Sequence, residues 1–237
     1  MTNHFNIGNI WTHTKPEDVK GNRWEIGFDM DSVLNEMGDD LGRHLAKEFG
    51  VSLDDLRAPD ETGVRRFHFS HPSISHTAIA DEVMRYVREE SINLEATPYM
   101  RLVTRYVYEI TKVPILVVTC RPASAVSSTY NWLKNNLDVP FMCCMVDGHR
   151  DKAAILEAVR CKMFVDDRYR TCMEIADAGM LPVVYDRPWN IGRDTYKGAV
   201  HAADLRDILP VVNILHGKPP LYLPDYIPYP LRVYLKG

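Results

Sequence analysis

The sequence predicts an α/β fold, a Rossmann-like parallel sheet flanked by helices, with a small helical segment inserted after the first strand. Three observations carry that expectation. Short apolar runs recur, as in Ile26–Phe28, Ile115–Val118 and Met163–Val165, and runs of this length read as strands buried on both faces. Amphipathic stretches with apolar residues at helical spacing stand between them, an alternation that favours a parallel sheet covered by helices. Several of the runs also end abruptly in polar residues, and open α/β sheets bind ligands at the carboxyl ends of their strands.

Residues 1–23 are polar apart from Ile10-Trp11 and read as an N-terminal leader, loose or packed on a partner. Trp24–Phe28 is the first strand, ending in Asp29-Met30-Asp31. By themselves the two aspartates favour a strand end with an Asx-type turn. Their chemistry also suits a nucleophile and an acid/base group with a hard cation between them.

Leu34, Met37, Leu41, Leu45 and Phe49 then recur at helical spacing, with Gly50 placed to cap the helix. Ser52 can start a short helix, and residues 58–76 are turn-rich with His68, His71 and His76. A further helix is predicted over about 77–88, so residues 34–95 read as a helical insert. A helix over 99–111 leads back to the sheet, which resumes with the strand 113–119 and Thr119-Cys120-Arg121-Pro122.

After a helix from Ala123 to about Asn136, Phe141–Val146 is a strand, and Gly148-His149-Arg150-Asp151-Lys152 opens the next helix. Met163–Val165 again finishes in carboxylates, Asp166-Asp167. A helix over 169–178 stops at Gly179, and the strand 181–185 closes on Asp186-Arg187-Pro188-Trp189-Asn190. A final helix is expected over 203–215, so the core comprises residues 24–33 and 96–215. Residues 216–237 form a Pro/Tyr-rich tail that suits self-association or a partner surface.

A formal charge of −4 leaves no electrostatic footprint for duplex nucleic acid or an anionic membrane. No apolar run approaches the ~18 residues of a membrane span, and the N-terminus lacks a signal peptide's apolar core. The five cysteines show no CxxC or zinc spacing, so they are expected to be reduced thiols of a soluble cytoplasmic protein.

Taken singly, Thr119 reads as a helix cap, Lys152 as a solvated charge and Asp166-Asp167 as a turn. In this order, each at a strand end or the following helix start, they form with Asp29 and Asp31 a site for a phosphate monoester. The succession FDMDSV, VVTCRP, DK before a helix and FVDDR resembles the four motifs of the haloacid-dehalogenase-like (HAD) phosphotransferases over roughly residues 24–190. With YDRPWN, it is most similar to the C-type 5'-nucleotidase or 5'(3')-deoxyribonucleotidase branch.

The resemblance implies that Asp29 attacks phosphorus to form an aspartyl-phosphate, while Asp31 acts as general acid and then base. Thr119 and Lys152 would contact the phosphoryl oxygens. Mg²⁺ would be held by the Asp29 carboxylate, the Asp31 backbone carbonyl and Asp166, with Asp167 orienting that shell. The insert occupies the place of a C1-type cap, a lid that selects the leaving group. Cys120, Arg121, Phe67 and His68 are the candidate substrate contacts for a nucleotide, although a solvated histidine-rich loop explains residues 67–76 equally well. Arg168, Trp189 and Asn190 are further candidates around the pocket. Ser32 replaces the family's usual glycine after the second aspartate, where serine turns less freely. Alternative readings are a phosphatase for a sugar phosphate or a polynucleotide 3'-phosphate, and a catalytically silent binding module.

Overall fold

The computed structural model describes residues 8–57, 68–191 and 199–223. Seven parallel strands form one sheet, in the spatial order β1-β4-β3-β2-β5-β6-β7. They are β1 (Gly8–Trp11), β2 (Ile26–Phe28), β3 (Ile115–Thr119), β4 (Phe141–Met145), β5 (Met163–Asp166), β6 (Leu181–Tyr185) and β7 (Val200–Ala202). The helices are α1 (Pro16–Val19), α2 (Met37–Phe49), α3 (Leu53–Leu56), α4 (His76–Glu89), α5 (Met100–Thr111), α6 (Val126–Asn136), α7 (His149–Ala158), α8 (Tyr169–Asp177) and α9 (Ile208–Leu215). Successive strand residues feed opposite faces: Ile115 and Val117 join one buried cluster, Leu116 and Val118 the other. A strand apolar at every position is what burial on both faces demands.

The three-residue strand β2 lies at the centre, paired with β3 on one side and β5 on the other. The chain builds β3 and β4 outward in one direction, then crosses back to lay β5, β6 and β7 on the other. The strand order therefore reverses at β2, and the ends of β2, β3 and β5 open side by side at that switch point.

Residues 8–11, read from sequence as part of a polar leader, form the edge strand β1, in register with β4 from Gly8↔Phe141 to Trp11↔Cys144. Four residues with one apolar pair carry no period to detect. Tertiary contact creates the strand: a Cβ on Gly8 would lie 2.2 Å from the Phe141 ring, so only glycine admits that ring. β7 was likewise not anticipated, and it pairs with β6 through Val200, His201 and Ala202.

The insert is helical, as expected. Gly50 closes α2 with φ 65°, and Ser52 and Ser75 accept backbone hydrogen bonds from Asp55 and Ala78 at the starts of α3 and α4. Met37, Leu41, Leu45, Ile79 and Val87 belong to the same buried cluster as the sheet residues Ile26 and Phe28. The insert thus continues the main core. No helix among the described residues is long and apolar enough to cross a membrane.

Candidate active site

Asp29 follows β2 directly, and its backbone N–H still donates to Val165 O at 2.8 Å, so the main chain is fixed by β5 where the side chain emerges. Asp166 is the last residue of β5 and is completely buried. Lys152 reaches both from the first turns of α7. Its Nζ lies 2.8 Å from Asp29 Oδ2 and 2.8 Å from Asp166 Oδ2. A lysine near a helix N-terminus opposes the helix dipole, and here two carboxylates offset that cost. Burial disfavours the Lys152 ammonium, but Asp166 and Asp29 outweigh it and hold its pKa above the ordinary lysine value.

Asp29, Asp166 and Asp167 bring carboxylate oxygens within 4.8 Å of one another, and all three residues are buried. Burial, reinforced by Asp166 and Asp31 and opposed by Lys152, pushes the Asp29 carboxyl up to about 7. Burial, with Asp166 and Asp29, likewise pushes Asp167 well above the usual carboxylate range. Three buried acids facing one ammonium are short of positive charge, and oxygen-only donors are the set a hard divalent cation takes. The residues therefore fit Mg²⁺. The carboxylates that meet are Asp29 and Asp166, two groups of the set the resemblance implied beside the Asp31 backbone carbonyl, together with Asp167.

The Asp31 carboxylate turns the other way, to Arg121. Arg121 Nε donates to Asp31 Oδ2 at 2.8 Å and Nη2 to Oδ1 at 2.6 Å, while Asn35 Nδ2 donates to Oδ1 at 3.1 Å. The remaining Arg121 donors reach Ser91 Oγ, Thr129 Oγ1 and Met37 Sδ. Arg121 lines the cavity, but its N–H groups are engaged within the protein: of the two roles open to it from sequence, substrate contact and structural ion pair, the structure shows the ion pair with Asp31. The Asp31 side chain remains 25% exposed at the cavity wall, against 2% for Arg121.

The turn between the two aspartates and α2 explains the unexpected serine. Ser32 adopts φ 64°, a left-handed conformation that costs a non-glycine residue roughly 1–2 kcal/mol. Its hydroxyl accepts from Gly38 N at 3.0 Å, satisfying an orphan donor at the start of α2, which glycine could not do. Arg187 Nε donates to Ser32 O at 2.7 Å, and Asn35 Oδ1 accepts from the Ser32 and Met37 backbones.

These groups open onto a cavity of about 550 Å³ between the strand ends and the insert. Thr119, Cys120 and Lys152 line its floor with Asp29, Asp31 and Asp167. Thr119 Oγ1 accepts from Arg121 N at 3.3 Å. Burial pushes the Cys120 thiol up to about 12, which disfavours its thiolate form. The roof is largely apolar, Met37 and Leu41 from α2 and Ile79, Val83 and Val87 from α4, with His76 at the start of α4 also on the cavity. His68 borders the cavity, and burial lowers its pKa, with Arg168 adding to the shift. Phe67 lies outside the described residues.

Phe69 and Trp189 form one wall and hold the Arg57 guanidinium between them, 4.1 Å and 4.2 Å from the ring centroids. Arg57, Asn35 and Phe69 were not singled out from sequence. Asn35 stands four residues after Asp31 in a turn-forming stretch, a signal available in retrospect. Arg57 and Phe69 carry none, because their meeting with Trp189 joins segments more than a hundred residues apart.

No family model matches the chain, and no curated protein sequence matches it. Its fold is similar to that of a haloacid dehalogenase-like family hydrolase from Xanthomonas campestris, with a TM-score of 0.53 and 12% identity over 84% of this chain and 99% of that one. A putative β-phosphoglucomutase from Thermotoga maritima gives a TM-score of 0.48 and 17% identity over 81% of this chain and 98% of the other. The chain has the fold of the HAD-superfamily hydrolases, a seven-stranded parallel sheet flanked by helices.

Proposed function

We propose that this protein is a Mg²⁺-dependent phosphomonoester hydrolase, with nucleoside or deoxynucleoside monophosphates as its substrates. The observation that carries the reading is the placement of Asp29: a buried carboxylate at the central strand end, held by Lys152 and facing a roofed cavity. When bound by Asp29, Asp166 and Asp167, Mg²⁺ would neutralise charge on the phosphoryl oxygens.

The chain's own groups divide the remaining work. An Asp29 oxygen attacks phosphorus, and the bond from phosphorus to the leaving oxygen breaks, leaving an aspartyl-phosphate. Asp31 delivers a proton to that oxygen, then takes one from the water that cleaves the aspartyl-phosphate and frees inorganic phosphate. Arg121 sets the direction of the Asp31 carboxylate at the cavity wall. Thr119 presents a hydroxyl to the phosphoryl group, and Lys152 supplies a fixed positive charge beside it. The insert excludes water from the reacting centre.

The nucleotide reading rests on the motif resemblance, supported by the largely apolar roof of Leu41, Ile79, Val83 and Val87 and by the half-buried Phe69 ring on the wall. A base can lie against those apolar groups, whereas a hydroxyl-rich sugar would meet few polar partners along them. The test is phosphate release from a panel of nucleoside monophosphates, deoxynucleoside monophosphates and sugar phosphates, with Mg²⁺, with EDTA and with Asp29→Asn. Mg²⁺-dependent turnover of nucleotides, lost in the variant, is the expected result. Turnover of sugar phosphates alone would remove the nucleotide assignment, and no turnover of any ester would return the protein to the silent-module reading.

A further inference from the structure

The segment after β6, residues 186–191, contributes no reacting group, yet it touches the candidate metal site and the start of the cap together. Trp189 Nε1 donates to Asp167 Oδ2 at 2.9 Å. Asn190 Nδ2 donates to Asp167 O at 2.6 Å and to Tyr185 O at 2.8 Å, so the Asp167 main chain is pinned as well. On its other side the Trp189 ring lies flush against α2. A Cβ on Gly38 would come within 2.3 Å of Trp189 Cη2. Arg57, at the end of α3, stacks on the same ring and donates from Nη2 to Gly38 O at 3.2 Å. Arg187 completes the attachment through Ser32 O and, at 2.8 Å, Glu36 Oε2.

We propose that Trp189 is a positioning residue: its indole N–H aims the Asp167 carboxylate at the metal, and its ring, seated on Gly38 and Arg57, ties that aim to the seating of the cap. The inference rests on the Mg²⁺-dependent reading of the site. A buried carboxylate without a fixed donor can rotate away from its neighbours. Outer-sphere hydrogen bonds of this kind typically alter metal affinity about 10–100-fold when removed. Gly38 is the second half of the argument, since the ring can approach α2 only where no side chain intervenes.

The test measures Mg²⁺ binding by calorimetry, independently of turnover, in the wild-type chain, in Trp189→Phe, in Gly38→Ala and in the double variant. Trp189→Phe keeps an aromatic ring and loses the donor, and it should raise the Mg²⁺ dissociation constant about tenfold or more. Gly38→Ala replaces no carboxylate of the site, yet its Cβ would meet the Trp189 ring at 2.3 Å and Ser32 Oγ at 2.8 Å, so by displacing the ring it should weaken Mg²⁺ as well. It should add little to Trp189→Phe, the non-additivity expected when two changes act through one contact.

Should Trp189→Phe fail to fold, the wild-type chain still answers. Of its four indole N–H signals in an amide NMR spectrum, that of Trp189 should move on Mg²⁺ addition. Unchanged Mg²⁺ affinity in both single variants, or an unmoved Trp189 indole signal, overturns the proposal while leaving the phosphatase reading standing. A wild-type chain that binds no Mg²⁺ overturns both.

Discussion

Two clusters in this protein combine carboxylates with cationic or imidazole groups, and they behave differently. At the strand ends, Asp29, Asp166 and Asp167 are buried together, with Lys152 against Asp29 and Asp166 and the Trp189 indole N–H on Asp167. On the cap, His44 of α2 meets Glu82 of α4 at 2.5 Å, with Glu48 nearby and Arg85 donating to both Glu82 oxygens. The first cluster gathers three acids and one ammonium at the floor of a cavity, where burial limits screening. The second is partly exposed, and Arg85 and His44 already satisfy Glu82, whose pKa falls to about 2 through its hydrogen bond to Arg85. Similar residue types thus make the proposed cation site where carboxylates are buried together, and a clasp between two helices where the charges meet near solvent. Environment, rather than composition, decides between chemistry and fastening.

The sharpest way to break this comparison is to remove charge from the buried cluster. Asp29→Asn should lower kcat by about 10⁴-fold or more, as loss of a covalent nucleophile does. The folded structure, relieved of one buried like charge, should survive; circular dichroism and phosphate release measure the two halves. If residual turnover stays within tenfold of wild type, Asp29 is not the nucleophile.

Lys152→Met tests the other sign. It strands three buried carboxylates without their ammonium and should cost about 3–5 kcal/mol in urea unfolding, as breaking a buried pair from one side does. Added Mg²⁺ should recover part of that loss, because a cation would replace the missing charge. Arg121→Met is the intermediate case, since Asp31 is partly exposed while Arg121 is not. A cost of about 2 kcal/mol is expected, with a fall in kcat that exceeds any change in KM.

The smallest effect belongs to the cap. Glu82→Gln should destabilise by at most about 1 kcal/mol at neutral pH, the range of exposed pairs. Because the Glu82 pKa is lowered from 4.5 to about 2, its contribution is complete above pH 4.5 and disappears as pH falls towards 2. The difference in Tm between wild type and variant should therefore shrink on acidification from pH 6 to pH 3. A difference that grows over that interval would mean that Glu82 is not held ionised by Arg85 and His44.

Much of the fold was legible because burial writes itself into local pattern. A strand covered on both faces must be apolar, and the central strands β2, β3 and β5 are so up to the polar residues Thr119 and Asp166 that end β3 and β5. The cap helices announced themselves through the spacing of Met37, Leu41 and Leu45, and through Ser52 at the start of α3. β1 and β7 were illegible for the complementary reason: edge strands of three or four residues take their conformation from a neighbour's backbone and carry no period of their own. Within the site, strand-end position marked Asp29, Asp31, Thr119 and Asp166, since residues at that position must leave the sheet together. The pairing of Arg121 with Asp31 was not marked, because the two are 90 residues apart and an arginine after a strand suits substrate and carboxylate alike.

The sequence by itself determined the layer architecture, the place of the helical insert and the identity of the polar groups at the switch point, since those follow from periodicity and from chain order. Tertiary structure alone decided how the charges are shared. It gave Lys152 to Asp29 and Asp166, Arg121 to Asp31, and Trp189 to Asp167, and it laid the Trp189 ring against Gly38. Which donor reaches which carboxylate depends on distances and burial between residues far apart in the chain, and neither quantity exists until the sheet has formed.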